Sequence, residues 1–374
     1  MENFKSNPQN LKFYKNIIKY PNKQLDINNL SIFKYYKNYH ILLAYYFNFI
    51  NNVNKSTIYI YDFNENKIIK EYNNIFEIKL LNHYLYKFNN YLLFINSKNH
   101  LLIINFDLDK YEIQIDLNEN NLKKNEEFDD IYYGCLFFDD SFQYIFISNS
   151  SDDYIKLWDL KNKKLLNSKF CKCDKGINFM NTFNDYQNEK KFIITAGYQN
   201  VNSYYLDTGE LFKSYYKQSD KFLKFPIVYN HFIIETIQNR YIIFIASEES
   251  VRLFDFYESL FLKEFILDRN NRFDKLILWN EKYLICGEKY AFNNLYLFNL
   301  ENNKCNIIFK NKVNIGSLLK YKLPNINECL IIGDENGIKI YKSIKFNIFN
   351  YFKYFIFILI IIFSIYLNNY YYKI

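Results

Sequence analysis

The stretch YIFISNSSDDYIKLWDLKNKKLLNSKF, residues 144–170, reads as three strands separated by polar turns. An apolar run at 144–148 leads into the turn 149–153. A second run closes on Trp158-Asp159, and after the turn 160–163 a third covers 164–170. Short strands with a Trp-Asp pair closing the third of a unit form the pattern of one WD-type propeller blade, whose strands run outward from a central axis.

The pattern recurs along the chain. Aligned on the end of the third strand it gives IYIYD (58–62), IINFD (103–107), IKLWD (155–159), VNSYY (201–205), VRLFD (251–255), LYLFN (295–299) and IKIYK (338–342). Every copy starts on an apolar residue, has an aromatic residue fourth and in most cases ends on a polar one. Successive end positions lie 45, 52, 46, 50, 44 and 43 residues apart, near the repeat of roughly 40 to 45 residues of this class. The expected fold is all-β: a seven-bladed WD-type β-propeller over 11–343, after a disordered leader at 1–10. Blade seven ends at Lys342 with no outer strand of its own. LKFYKNIIKY (11–20) is expected to supply that strand and leave no open edge between the last and first blades.

Composition bounds the function. Tyr and Phe number 38 each beside abundant Ile, Asn and Lys; these are residues of A/T-rich codons, so aromatic or basic enrichment alone says little. The net charge of +7 rests on scattered lysines, with arginine only at Arg240, Arg252, Arg269 and Arg272. A phosphate-clamping surface would cluster its basic residues among stacking aromatics, so no nucleic-acid partner is expected. Cysteines at 135, 171, 173, 286, 305 and 329 follow no regular framework and read as reduced residues of a cytosolic protein, several inside apolar strands. Cys171-Lys172-Cys173 lacks the two further ligands of a tetrahedral zinc site. His40, His83, His100 and His231 stand in no motif with a nucleophile. The chain has no phosphate-binding P-loop, no Gly-rich dinucleotide fingerprint and no His-Glu-x-x-His helix. Covalent chemistry and a small-molecule substrate are therefore not expected.

Two connections stand out. FNFINNVNKS (47–56), between the second and third strands of blade one, exceeds the few residues such a turn needs. It reads either as a working loop or as an asparagine-rich insertion. LNENNLKKNEEFDD (117–130) gathers Glu126, Glu127, Asp129 and Asp130 without the spaced ligands of a calcium loop, and reads as a solvated loop. LDTGEL (206–211) and GDENG (333–337) are tight turns, with Gly209 placed for a positive backbone angle.

From 346 the chain changes to FNIFNYFKYFIFILIIIFSIYLNNYYYKI. Its uninterrupted apolar part, 354–367, includes Tyr354, Phe355, Ile356, Phe357, Ile358, Leu359, Ile360, Ile361, Ile362 and Phe363. As a helix it measures about 21 Å, at ~1.5 Å per residue, against a thin bilayer of about 27 Å. Flanking Tyr and the stem of Lys353 extend it, because Lys snorkels and Tyr prefers the interface. An apolar face all round suits lipid and not a solvated propeller surface. The expectation is a single transmembrane helix at 346–369 with a short lumenal tail at 370–374. Lys342, Lys345 and Lys353 precede it and Lys373 follows, which keeps the propeller in the cytosol. The endoplasmic reticulum and the outer mitochondrial membrane both suit a span this short.

A cytosolic propeller with one C-terminal span resembles the endoplasmic reticulum guanine nucleotide exchange factors that load the small GTPase starting the coat protein complex II vesicle coat, the family of the prolactin regulatory element-binding protein. Within blade one, Tyr20-Pro21, HILLAYY (40–46) and NNVNKS (51–56) stand where that family has a Tyr-Pro segment, a strand and an extended loop. The family loop is Gly-rich at its start; here Phe47, Asn48, Phe49 and Ile50 take that place. The resemblance implies a GTPase-contacting loop at Asn51, Asn52, Val53, Asn54 and Lys55. It also implies a possible potassium ion held at Asn51, Asn52 and Asn54, and a role in ER-to-Golgi transport. The alternative is a tail-anchored scaffold that docks protein partners at the same membrane without exchange activity.

Overall fold

The computed structural model describes the backbone of the strands between Leu11 and Ser343 and several turns joining them. Side chains are described for 60–62, 67–71, 100–105, 114–117 and most of 144–216 and 240–342. Among the described residues all regular structure is β, in seven four-stranded antiparallel sheets. After β1 (Leu11–Lys19), sheet one holds β2 (Leu25–Tyr35), β3 (Tyr39–Ile50), β4 (Val53–Asp62) and β5 (Lys67–Phe76). Sheet two holds β6 (Ile78–Tyr86), β7 (Asn89–Asn96), β8 (His100–Asn105) and β9 (Lys110–Asp116). Sheet three holds β10 (Tyr132–Phe137), β11 (Tyr144–Asn149), β12 (Tyr154–Asp159) and β13 (Lys164–Lys172). Sheet four follows with β14 (Phe179–Asp185), β15 (Lys190–Ala196), β16 (Val201–Tyr205) and β17 (Leu211–Tyr215), and sheet five with β18 (Val228–Glu235), β19 (Tyr241–Ser247), β20 (Ser250–Asp255) and β21 (Phe261–Ile266). Sheet six has β22 (Arg272–Trp279), β23 (Tyr283–Lys289), β24 (Asn294–Asn299) and β25 (Cys305–Lys310); sheet seven has β26 (Ile315–Lys322), β27 (Glu328–Asp334) and β28 (Gly337–Ser343).

First strands touch in cyclic order. β2 meets β6, and the contact passes through β10, β14, β18 and β22 to β26, which returns to β2. The sheets thus form a closed, propeller-like ring. The fourth strand of sheet seven is β1, with Leu11 opposite Ser343 and Lys19 opposite Gly337. One sheet therefore joins the two ends of the ring, which removes the open edge a linear array would leave.

The core lies between consecutive sheets. Phe146, Ile155, Met180 and Ile193 fill the space between sheets three and four, and Phe192, Ile194, Ile243 and Phe256 that between four and five. Val251, Leu284 and Phe298 join five to six, and Trp279, Ile285, Leu330 and Ile332 join six to seven. Each such side chain contributes roughly 1.5–3 kcal/mol on leaving water. Second and third strands are covered on both faces and read as apolar runs, as in β15 and β24. Outer strands such as β13 keep most residues exposed.

One local turn repeats where third strands end. Asp159 accepts the Asn162 amide N–H at 2.9 Å and the Asn162 Nδ2 at 2.7 Å. Asp62, Asp255 and Asn299 cap their turns in the same way through the amides of Glu65, Glu258 and Asn302. Four residues beyond the cap the chain turns left-handed, at Lys163 (φ 54°), Ser259 (φ 50°) and Asn303 (φ 61°). Asp185 and Glu189 (φ 52°) repeat the device between β14 and β15. Sheet four is the informative exception: Tyr205 stands where the cap belongs, and the left-handed position is Gly209, φ 74°. A side-chain cap holds a strained backbone elsewhere, whereas here glycine removes the strain.

The pairing register corrects the alignment of sheet two. Its third strand ends at Asn105, which pairs with Lys110 as Asp62 pairs with Lys67 and Asp159 with Lys164. IINFD is therefore two residues out of step. Ile104 occupies the position that is aromatic in other copies, so a pattern seeking an aromatic residue slips to Phe106. Asp107 and the acidic segment 118–130 lie outside the described residues, as do 1–10 and 344–374, which contain the expected span.

Candidate interaction surfaces

Neighbouring strands alternate in direction, so first-to-second and third-to-fourth turns share one face of the ring. Second-to-third connections lie on the opposite face. On that opposite face β3 and β4, of 12 and 10 residues, are longer than the second and third strands of the other sheets. Of residues 47–56, expected to form a long loop, 47–50 and 53–56 instead continue the ladder. Phe47 pairs with Ser56, Asn48 with Lys55, Phe49 with Asn54 and Ile50 with Val53. The physical reason is that neither arm holds Gly or Pro to break it, while Phe47, Phe49, Ile50 and Val53 favour strand.

Among the described residues the flanking strands pair with this hairpin only up to its last two rungs. β2 reaches Asn48 through Leu25, and β5 reaches Lys55 through Phe76. The last two rungs, Phe49 with Asn54 and Ile50 with Val53, continue as a two-stranded ribbon among the described residues. Of the expected partner-contacting residues, Val53, Asn54 and Lys55 begin β4. Asn51 and Asn52 lie outside the described residues. Of the expected potassium donors Asn51, Asn52 and Asn54, only Asn54 is among the described residues, in the ladder opposite Phe49.

A polar clasp between sheets four and five gave no sequence signal of its own. Asp185 is buried, and accepts hydrogen bonds from the amides of Gln187 (3.0 Å) and Asn188 (3.1 Å) and from Asn188 Nδ2 (2.7 Å). From sheet five, Tyr241 Oη donates at 3.0 Å and Tyr257 Oη also donates. Burial opposes the carboxylate charge, but the bonds from Tyr257, Asn188 and Tyr241 outweigh it and hold the pKa at about 2. Burial first, and then the bond to Asp185, pushes the Tyr257 phenol up. Beside it Tyr215 Oη donates to the Phe256 carbonyl at 2.7 Å, again across the two sheets. The clasp ties the two sheets together. The pattern D-x-x-N-x-K, shared by 159–164 and 185–190, would have revealed the turn but not its partners.

Other residues singled out in the sequence lie within the strands or in the packing between sheets. Cys171 and Cys173 are buried in the core between sheets three and four, and burial pushes the Cys171 thiol up to about 12. Cys286 and Cys329 are buried as well. His40, His83 and His231 lie in β3, β6 and β18, and His100 is 3.9 Å from Asp116. Arg252 bonds Glu264 at 2.8 Å across β20 and β21, with Ser250 Oγ on the same carboxylate at 2.9 Å. Among the described residues no cluster of three His, Cys, Asp or Glu is arranged to hold a metal, and no helix is long and apolar enough to cross a membrane. No protein-family model and no curated protein matches the chain.

Proposed function

We propose that the chain is a WD-type propeller that engages a small GTPase through the β3–β4 hairpin and promotes release of its guanine nucleotide. A span within 346–369 holds it at the endoplasmic reticulum membrane with the ring in the cytosol. The observation that carries this reading is the ribbon at the end of β3 and β4, which among the described residues continues two rungs past the flanking pairs. Exchange requires no acid or base. It requires a rigid element that binds the nucleotide-free GTPase more tightly than the loaded one and displaces the switch loops from phosphate and magnesium. Val53 beside the turn supplies an apolar contact and Lys55 a charged one. Carbonyl oxygens at the turn, with the amides of Asn51, Asn52 and Asn54, are donors suited to potassium.

The test follows release of a fluorescent guanine nucleotide from the coat-initiating GTPase, using the full chain in liposomes. Removing Phe49, Ile50, Val53 and Asn54 shortens each arm by two residues and preserves side-chain alternation. Acceleration by the intact chain and its loss in the shortened one is the expected result. Equal release with and without the protein, in sodium and in potassium, refutes exchange. Equal binding of loaded and nucleotide-free GTPase would then favour the docking scaffold.

A further inference from the structure

A cleft of about 650 Å³ opens between sheets three and four, on the face opposite the hairpin. Phe146, Leu157 and Phe170 line it, with the Phe146 and Phe170 rings 5.1 Å apart. Leu166 contributes to the same wall and is 50% exposed. Lys190 and Lys191 stand on the sheet-four lip. The sheet-three border is the nine-residue outer strand β13, paired on one side with β12 and with no strand on its other edge among the described residues. Segment 161–172 exposes Lys161, Lys163, Lys164, Lys169 and Lys172 and contains no Asp or Glu.

Lysines on an edge strand ordinarily discourage pairing. Two copies of β13 would set these lysines against one another, and a basic strand would be repelled likewise. A strand rich in carboxylates meets attraction instead. We infer that the β13 edge and its cleft take up an extended acidic peptide from a partner protein. Its backbone adds to β13, an aliphatic or aromatic side chain enters beside Leu166 and Phe170, and its carboxylates face the lysines of 161–172 and Lys190. Glu189 and Asp207 on the sheet-four lip direct the peptide's acidic residues toward the β13 side. This surface is independent of the hairpin and of any exchange activity.

The experiment measures fluorescence anisotropy of a labelled nine-residue peptide, Asp and Glu alternating with Leu and Phe, against the full chain in non-ionic detergent. Binding that weakens with salt, falls about tenfold or more in K163E/K164E and is lost in Leu166→Asp is the expected result. K163R/K164R should bind as the parent does. No binding, or equal affinity in the Lys→Glu and Leu166→Asp variants, overturns the inference. Capture of anionic vesicles without peptide binding assigns the surface to lipid and also overturns it. A self-associated species abolished by Leu166→Asp, again without peptide binding, would assign the cleft to a second copy of the chain.

Discussion

Replacing Asp185 by asparagine should remove a defined part of the acid sensitivity of this protein. The Asp185 carboxylate is buried between sheets four and five under donors from both, and its folded-state pKa is about 2. An aspartate in an unfolded chain titrates near ~3.9, and each unit of difference is worth ~1.36 kcal/mol. The folded value is the lower one, so the contribution is fully present above pH ~4, fades as the pH falls and is nearly gone at pH ~2. Urea unfolding of the full chain in non-ionic detergent, followed by the fluorescence of Trp158 and Trp279, measures it. The stability difference between wild type and Asp185→Asn should narrow by about 2 kcal/mol between pH 6 and pH 2. Other carboxylates titrate in both proteins and cancel. Tyr257→Phe removes one donor to the charged group and should cost about 1.5–3 kcal/mol near neutral pH. A difference between wild type and Asp185→Asn that stays constant across the whole range would refute the reasoning, because it would mean that Asp185 is not held charged by the clasp.

Two further substitutions probe the turns and the core. Gly209→Ala should destabilise by about 2–5 kcal/mol: φ is 74° there, and an added Cβ would lie 2.3 Å from the Phe170 carbonyl oxygen of the neighbouring sheet. A lowered urea midpoint would show it, and an unchanged midpoint would contradict the contact. Trp158 is buried and its Nε1 has no hydrogen-bond partner among the described residues, so Trp158→Phe removes this donor together with some packing. Its net cost should stay within about 1 kcal/mol, below the usual penalty for shrinking a core aromatic.

Much of the architecture was legible along the chain. The repeat of apolar third strands, with an aromatic residue before a polar one, marks sheets whose inner strands are covered on both sides while their turns reach water. Asp159 carried the strongest signal because the pattern DLKNKK (159–164) is local: cap, amide and left-handed residue all lie within six positions. Where the local chemistry changed, the reading slipped. Ile104 in place of an aromatic residue moved sheet two by two positions. The asparagines at 51, 52 and 54 suggested a loop, although the strands on either side continue pairing up to Ile50 and Val53.

Contacts made only with a neighbouring sheet left no trace in the sequence. Asp185 and Tyr257 are 72 positions apart, and Gly209 is needed as much for the Phe170 carbonyl beside it as for its own turn. The cleft beside β13 likewise combines an edge from sheet three with a lip from sheet four. Strand periodicity, turn chemistry and the apolar C-terminal run depend on neighbours within a few residues, so the order of residues alone establishes them. The closure of β26 onto β2, the clasp and the cleft depend on how sheets rotate and pack against one another. No local pattern encodes that, because the partners meet only after the ring has formed.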